Sequence, residues 1–472
     1  MTPNSGPLEL TSIGDEVLPK IKDAGWSDDQ IEREYTVNAR NITTPSGLTR
    51  SHKDGFIDIV LSAHPGTPTA AVEAKRRYRT AESAIQQAIR YAEQLDVPLA
   101  YGTNGGRIIE RNLHRGTERE AAGYHSPAEA WGEYCAYHGL NDDGAASVGE
   151  PPSRARQTVS GAVVEPRYYQ TVAINRVLAA IASGQQRVLL LMATGTGKTF
   201  TAMQIVHKLR ERAKVTDPDK NYRVLYLADR DQLLTQPMRK DFIPPFGANT
   251  VARVKGGADT SREIYFASYQ ALTGDHTDDS GRVDELMTRF RQDFFNLVIV
   301  DECHRGSAKD GSSWRSVLDY FSSAVQLGLT ATPLQGGTTS SIGCVREADD
   351  NSATYEYFGN PVYRYSLRQG IEDGYLAPYR VRRVVLTPDK DGWQPYEGQL
   401  DRFGKAIPDG LYGTRDFERV VSLLAPYASG RHPPIEDTPP GSDCASNRVL
   451  RRRRARRRHA QSTYRREPRS CS

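Results

Sequence analysis

Val188-Leu-Leu-Leu-Met-Ala-Thr-Gly-Thr-Gly-Lys-Thr199 decides the fold of this 472-residue chain. An apolar run closed by a glycine-rich turn reads as a buried parallel strand, and Lys198-Thr199 opens a helix. That is the strand–loop–helix setting of a phosphate-cradling loop. Gly195 and Gly197 let backbone N–H groups close on phosphate oxygens, and a helix N-terminus behind them favours anions. Lys198 would reach the β- and γ-phosphates, and the Thr199 hydroxyl would ligate Mg²⁺. The general pattern G-x-x-x-x-G-K-[ST] fails at its first position, where Met192 stands. Asn296-Leu-Val-Ile-Val-Asp-Glu-Cys-His304 supplies the missing support, as a second buried strand ending in two adjacent carboxylates. Asp301 can hold Mg²⁺ through water, and Glu302 can orient and deprotonate an attacking water. Two solvated acids after a core strand are the bland alternative. Behind a phosphate loop, the pair reads as the hydrolytic half of an NTPase.

Outward from these two strands, strand-like runs recur at Val188–Met192, Val224–Ala228, Ile264–Ala267, Leu297–Val300 and Val325–Leu329, separated by helical stretches such as Thr199–Arg212. The alternation predicts an α/β fold with a parallel sheet and its chemistry at the strand C-terminal ends. Arg167-Tyr-Tyr-Gln170 precedes the first strand; its polar groups either read an adenine edge or form a helix-start surface cluster. Leu227–Leu233 and Ala267–Leu272 follow the second and third strands, where loops can hold a nucleic-acid backbone, although their composition alone does not show it. Thr330 and Thr332 end the fifth strand and either sense the nucleotide state or cap a turn.

The N-terminal third carries a different pattern. Residues 14–36 have helical periodicity through Val17, Leu18, Ile21 and Ile31, with Gly25-Trp26-Ser27 as a turn and fresh N-cap. Gly55–Leu61 and Ala70–Lys75 read as two strands joined through Pro65-Gly66. Alternation puts Glu73 and Lys75 on one face of the second strand, and Asp58 lies on the first. Two carboxylates and a lysine converging in this way can bind Mg²⁺ and activate a water against a phosphodiester. A structural ion pair on a strand face is the plain alternative. A helix from about Ala81 to Leu95 follows, with Gln87 and Tyr91 sharing a face at i and i+4. Residues 139–165 are rich in Gly, Pro, Asp and Ser, a linker composition that marks a domain boundary.

The length suits about three domains. No run of about 18 apolar residues is present, which argues against a membrane span, and Met1-Thr-Pro-Asn-Ser-Gly lacks the regions of a signal peptide. The five cysteines, at 135, 303, 344, 444 and 471, have no metal or disulfide spacing. A reduced, cytoplasmic protein is expected. From Ala425 to Ser472 there are twelve Arg against four Asp or Glu, a balance of +8, which leaves about −4 for residues 1–424 out of the +4 of the whole chain. Attraction of DNA to the main body must therefore come from local patches.

Taken in order, Arg167-x-x-Gln170, Ala193–Thr199, Asp301-Glu-Cys-His304 and Thr330-Ala-Thr332 resemble the first RecA-like domain of superfamily 2 (DEAD/DEAH-type) helicases, members of which accept Met192. Tyr357–Leu376 is similar to the segment after the motor's first lobe in the restriction subunit of type I restriction–modification enzymes. Asp58, Glu73-Ala-Lys75 and Gln87-x-x-x-Tyr91, with Thr103-Asn-Gly105, resemble that family's PD-(D/E)xK nuclease. The resemblance covers about residues 10–424. It implies a nuclease domain at 1–138, a linker at 139–165, the first helicase lobe at 166–376 and a connector at 377–424. It further implies an ATP-driven translocase on double-stranded DNA that cleaves DNA in complex with methylation and specificity subunits. Asp58 and Glu73 would hold Mg²⁺, Lys75 would stabilise developing charge, and Gln87 and Tyr91 would support that site or contact DNA. Arg167, Gln170, Thr194, Gly195, Thr196, Gly197, Lys198, Thr199 and Asp301 would bind ATP with Mg²⁺, Glu302 would serve its hydrolysis, and Thr330 and Thr332 would couple hydrolysis to motion. A stand-alone superfamily 2 helicase or repair ATPase, or a non-catalytic DNA-binding remnant, are the alternatives.

Past Leu424 the periodicity vanishes, and 425–472 reads as a disordered Arg- and Pro-rich tail. Back-translating Asn447–His459 with freely chosen codons and reading one base later gives Thr-Val-Phe-Cys-Val-Asp-Asp-Glu-His-Ala-Asp-Asp. That resembles the opening strand of the family's second lobe. The expectation is a shifted reading frame and a truncated copy, checked by sequencing codons 420–460 for a one-base shift that restores a long open frame.

Overall fold

The computed structural model describes residues 16–378 except 39–40, 44–48, 52–55, 76–78, 159, 219–220, 230, 255–259, 274, 278–282, 286–289, 304–313 and 332–352, and beyond them only 394 and 406. Thr332, almost all of the expected connector and the whole 425–472 tail lie outside the described residues.

Helix α1 (Leu18–Asp23) buries Leu18 and Ile21 and ends before Gly25, whose φ of +96° is a left-handed value suited to glycine. The helical reading of 14–36 stops there. Ser27 and Gln30 form a capping box, but it serves a single turn at Asp28–Gln30. Ile31-Glu-Arg-Glu-Tyr-Thr36 then becomes strand β1, paired antiparallel to β2 (Phe56–His64). Its period-three apolar spacing is overridden by the free edge of a neighbouring strand.

From β2 the chain turns at 65–66 into β3 (Thr67–Ala74), antiparallel to it with register shifts around Ser62. Helix α2 (Glu82–Leu95) buries Ala84, Ile85, Ala88, Tyr91, Ala92 and Leu95, one stripe at helical spacing. It crosses over to β4 (Leu99–Thr103), which lies parallel to β3. Strands β5 (Ile108–Asn112) and β6 (Thr117–Ala121) complete a six-stranded sheet in the order β1-β2-β3-β4-β5-β6. Gly102 in β4 faces α2 so closely that an added Cβ would lie 2.4 Å from the Ile85 nitrogen.

Helix α3 (Pro127–His138) opens with a Ser126–Glu129 capping box. The stretch whose composition reads as linker then folds into helix α4 (Asp142–Gly149), capped by Asn141 and burying Gly144, Ser147 and Val148. Small residues let it lie against its neighbours, so a Gly- and Ser-rich composition here marks close packing.

Helix α5 (Tyr168–Ala182) leads to β7 (Arg187–Met192), the phosphate loop and helix α6 (Lys198–Thr216). Strands β8 (Val224–Ala228), β9 (Val251–Arg253), β10 (Ile264–Ser268), β11 (Leu297–Asp301), β12 (Val325–Thr330) and β13 (Tyr363–Tyr365) follow, with helix α7 (Leu367–Glu372) after the last. The sheet order is β9-β10-β8-β11-β12-β7-β13, parallel throughout. This is the RecA-like arrangement. The predicted strands agree with β7, β8, β10, β11 and β12 within one residue at either end. Both β9 and β13 have three residues, too few to show a period.

Candidate functional site

The order β11-β12-β7 brings the C-terminal ends of three strands together, with Asp301 beside Leu329 and Thr330 beside Leu191 in register. The loop from Ala193 to Gly197 leaves β7 there. Gly195 and Gly197 take φ values of +87° and +85°, which tolerate no ordinary side chain without strain. A Cβ on Gly197 would also lie 2.5 Å from Nε2 of Gln170.

Gln170 is buried and serves two partners. Its Oε1 accepts from the Arg167 backbone N–H at 2.9 Å, and its Nε2 donates to the Thr196 carbonyl at 2.9 Å. The Tyr169 hydroxyl donates to the same carbonyl at 3.0 Å. Arg167–Gln170 is a capped helix start with Arg167 exposed and Gln170 buried, and through Tyr169 and Gln170 it grips the phosphate loop. Thr196 is buried and donates through Oγ1 to Ala193, so the loop is held in shape from both sides.

Lys198, nearly buried, sits 3.3 Å from Oε1 of Glu302. Asp301 is buried beneath the pair; its Oδ1 accepts from the Glu302 backbone N–H at 3.0 Å and its Oδ2 from the Tyr226 hydroxyl at 2.7 Å. Burial pushes the Asp301 carboxyl up, while the Tyr226 hydrogen bond and the Lys198 charge pull it back. Glu302 adopts φ +52°, a left-handed backbone outside glycine. Such outliers cost on the order of 1 kcal/mol or more and mark places where aim matters more than local ease. Thr330 is fully buried at the end of β12. The loops after β8 and β10 meet each other, the Tyr269 hydroxyl donating to Asp229 at 2.9 Å.

The residues present suit a nucleoside triphosphate with Mg²⁺. Gly195 and Gly197 in left-handed conformations shape the turn that leads into the N-terminus of α6, a setting that favours an anion, and hard oxygen donors at Asp301 and Thr199 are what Mg²⁺ takes.

In the N-terminal sheet, Asp58 on β2 and Glu73 on β3 occupy adjacent strands. Asp58 Oδ2 accepts from the Ala74 backbone N–H at 2.8 Å, which fixes it beside the end of β3. Lys75 Nζ lies 2.5 Å from Oε1 of buried Glu73 and 3.1 Å from Oε1 of Gln87. Gln87 Nε2 in turn donates to the Tyr91 hydroxyl at 3.1 Å. All five residues singled out in this region therefore lie together, where the start of β2 meets the end of β3 beside α2. Thr103 and Asn104 flank them: the Thr103 carbonyl accepts from the Lys75 N–H at 2.8 Å, and Asn104 Oδ1 holds the N–H groups of Gly106 and Arg107.

Sequence reading missed Tyr226, although a tyrosine inside the apolar strand Val224-Leu-Tyr-Leu-Ala228 has to find a partner for its hydroxyl. It also missed the clasp at Asp373, whose Oδ2 accepts from Tyr168 and, at 2.5 Å, from Tyr365. No local pattern links Asp373 to Tyr168, 205 residues away.

Residues 163–335 match the family described as type III restriction enzyme, res subunit. Over 415 residues the chain is 40% identical to the EcoAI type I restriction enzyme endonuclease subunit of Escherichia coli, covering 86% of this chain and 47% of that one. Its likeness is to the endonuclease subunits of type I restriction enzymes. A second such subunit, the EcoKI endonuclease subunit of Escherichia coli K12, is 26% identical over 484 residues, which cover 84% of this chain and 38% of that one. Among solved structures, a fragment assigned as the HsdR subunit of a type I restriction enzyme from Vibrio vulnificus YJ016 superposes with a TM-score of 0.60 at 35% identity, covering 79% of this chain and 62% of that one. The chain thus spans less than half the length of each of these two curated relatives. No helix among the described residues is long and apolar enough to cross a membrane.

Proposed function

We propose that this chain contributes a metal-dependent nuclease and the nucleotide-binding lobe of an ATP-driven motor to a type I restriction system acting on double-stranded DNA. Methylation and specificity subunits are its partners in that reading. The observation that carries it is the Glu73–Lys75–Gln87–Tyr91 relay beside Asp58, in one chain with a Lys198–Glu302 pair over a phosphate loop.

At the motor centre, the backbone N–H groups of 195–199 and Lys198 receive the phosphates, and Thr199 and Asp301 hold Mg²⁺. Mg²⁺ supplies charge neutralisation on the phosphate oxygens. An arriving phosphate competes with Glu302 for Lys198, which releases the Glu302 carboxylate to orient a water and take its proton. Thr330 and Thr332 couple that event to motion. At the N-terminal centre, Asp58 and Glu73 hold the second Mg²⁺ site, and Lys75 stabilises charge that develops on the cleaved phosphodiester. Gln87 keeps the Lys75 ammonium aimed, and Tyr91 keeps Gln87 aimed. Residues 1–138 and 166–376 are the two working domains of this reading, and the cytoplasm is its compartment.

Cleavage of circular double-stranded DNA by the purified chain, with and without Mg²⁺, tests it. Metal-dependent cutting is expected, lowered about a hundredfold or more by Lys75→Ala and abolished by Glu73→Ala. Cutting that survives both changes in folded protein sinks the nuclease assignment.

A further inference from the structure

Thr103-Asn104-Gly105 leaves β4 beside the end of β3, and neither centre uses the Asn104 side chain. That side chain works in two directions. Its Oδ1 accepts from the N–H groups of Gly106 and Arg107 at 3.2 and 3.0 Å, which shapes the turn, and Gly105 takes φ +85° within it. Its Nδ2 leaves the turn and donates at 2.9 Å to the carbonyl of Arg79, 25 residues back in the chain. An aspartate shapes a turn of this kind as well as an asparagine does. Only the second bond requires the amide, because an ionised carboxylate has no donor.

The same turn holds Lys75. The Thr103 carbonyl accepts the Lys75 N–H at 2.8 Å, so Lys75 and Arg79 are both tied to adjacent residues of one turn. Arg79 stands just ahead of Glu82, where α2 begins, and the Ser83 N–H and hydroxyl both donate to the Thr80 carbonyl, at 3.1 and 2.7 Å. Arg107, at the far end of the turn, reaches Glu82 at 3.0 Å. On the other side, Lys20 of α1 donates to the Gly105 carbonyl at 2.6 Å. The turn is braced by α1 and fixes the start of α2.

Gly102 sets how far α2 stands from the sheet; the Arg79 tie sets where it stands along its own axis. The tolerance is narrow. Gln87 Oε1 lies 3.1 Å from Lys75 Nζ. A side-chain hydrogen bond is gone by about 3.6 Å, whereas one residue of slip moves a helix about 1.5 Å.

We propose that Asn104 is a positioning residue for the N-terminal cutting centre: through the Arg79 carbonyl it fixes α2 along its axis and so keeps Gln87 on the Lys75 ammonium. The inference rests on the nuclease reading above and extends it to a residue that touches neither metal nor DNA.

Single-turnover cutting of circular double-stranded DNA by the full chain with Mg²⁺ tests it. Asn104→Asp keeps the acceptor for Gly106 and Arg107 and turns the donor into an oxygen facing the Arg79 carbonyl. The rate is expected to fall by about ten- to a hundredfold, the scale of an ångström of misplacement. The Mg²⁺ concentration for half-maximal rate should not move, because the Ala74 N–H still holds Asp58 and β3 still holds Glu73. Combination with Gln87→Ala separates aim from folding: in the Gln87→Ala chain, Asn104→Asp should cause no further loss. If Asn104→Asp does not fold, Lys20→Met removes only the brace from α1; it is expected to slow cutting severalfold, again without effect in the Gln87→Ala chain. A wild-type rate in the folded variant, an equal loss with and without Gln87, or a raised Mg²⁺ requirement overturns the proposal. If Lys75→Ala cuts as the wild type does, the nuclease assignment itself falls, and the role of Asn104 with it.

Discussion

Tyr226 places a phenol under the carboxylate on which the motor centre depends. Its hydrogen bond favours the charged form of Asp301 against the burial that disfavours it. In Tyr226→Phe the carboxyl loses that donor, so its pKa rises further above the ordinary value. On the proposed reading the ionised form would hold Mg²⁺, so ATP hydrolysis should be lost as pH falls through the folded-state pKa, and the variant should reach that loss at higher pH. ATP hydrolysis by Tyr226→Phe is expected to fall below wild type on the acid side of the profile and to match it at alkaline pH. An acid limb that coincides with the wild type shows that Tyr226 does not tune Asp301. At this scale, much of the two centres was legible. Strand period two placed Glu73 with Lys75, helical spacing placed Gln87 with Tyr91, and glycine spacing marked the loop. Tyr226 and the Tyr168–Asp373 contact were not legible, because Asp301 and Tyr168 lie 75 and 205 residues from their partners.

Helix α2 is the element that makes the N-terminal centre possible. It lies on the sheet at the distance Gly102 allows, with the Ile85 nitrogen and Cα at 2.4 and 2.7 Å from a built Cβ and the Ala81 carbonyl oxygen at 2.9 Å. Those are backbone atoms and cannot swing aside. Gly102→Ala must lift α2 from β4, at a cost of about 1–3 kcal/mol for an overpacked site, and carries Gln87 away from Lys75. The expected result is a melting temperature lowered by several degrees and loss of DNA cutting, with ATP hydrolysis retained. Unimpaired cutting by Gly102→Ala would falsify the dependence on helix height. The elements themselves divided by length. The longer strands of the motor sheet and α2 were found within a residue of their ends, whereas β2, β3 and α6 were each read three or four residues short at one end. The three-residue strands β9 and β13 were invisible, and β1 was read as helix because a sheet edge outweighs a weak local period. Helix α4 hid in a linker-like composition.

Across the whole molecule, the N-terminal sheet and the motor lobe share one hydrophobic cluster, running from Val60, Ala71 and Ala88 through Tyr134 and Val148 to Ile174, Val188 and Phe200. Arg176 of α5 binds both carboxylate oxygens of Asp96, at 2.6 and 2.8 Å, and Asn175 donates to Tyr134 at 3.1 Å. The Val148 carbonyl accepts from Thr67 of β3 at 3.2 Å and from fully buried Lys208 of α6 at 2.8 Å. Burial pushes the Lys208 amine down to about 7, against 10.5 in the unfolded chain, and Glu150 opposes the shift. The neighbouring His64 is likewise lowered by burial and by Lys208. Between pH 7 and 10.5 the unfolded chain holds a proton at Lys208 that the folded one has released, so stability contributed at this site rises with pH through that window. Lys208→Met removes that rise, which is at most about 1.4 kcal/mol per pH unit. The wild-type melting temperature should therefore gain on that of the variant between pH 7 and 9. A constant difference would mean that the lysine stays charged.

The junction at Val148 also has a mechanical meaning. One peptide oxygen accepts from Thr67 on the N-terminal sheet and from Lys208 on α6. A slide of α6 past β3 would have to break or bend one of these two bonds, so the two elements are expected to be displaced together.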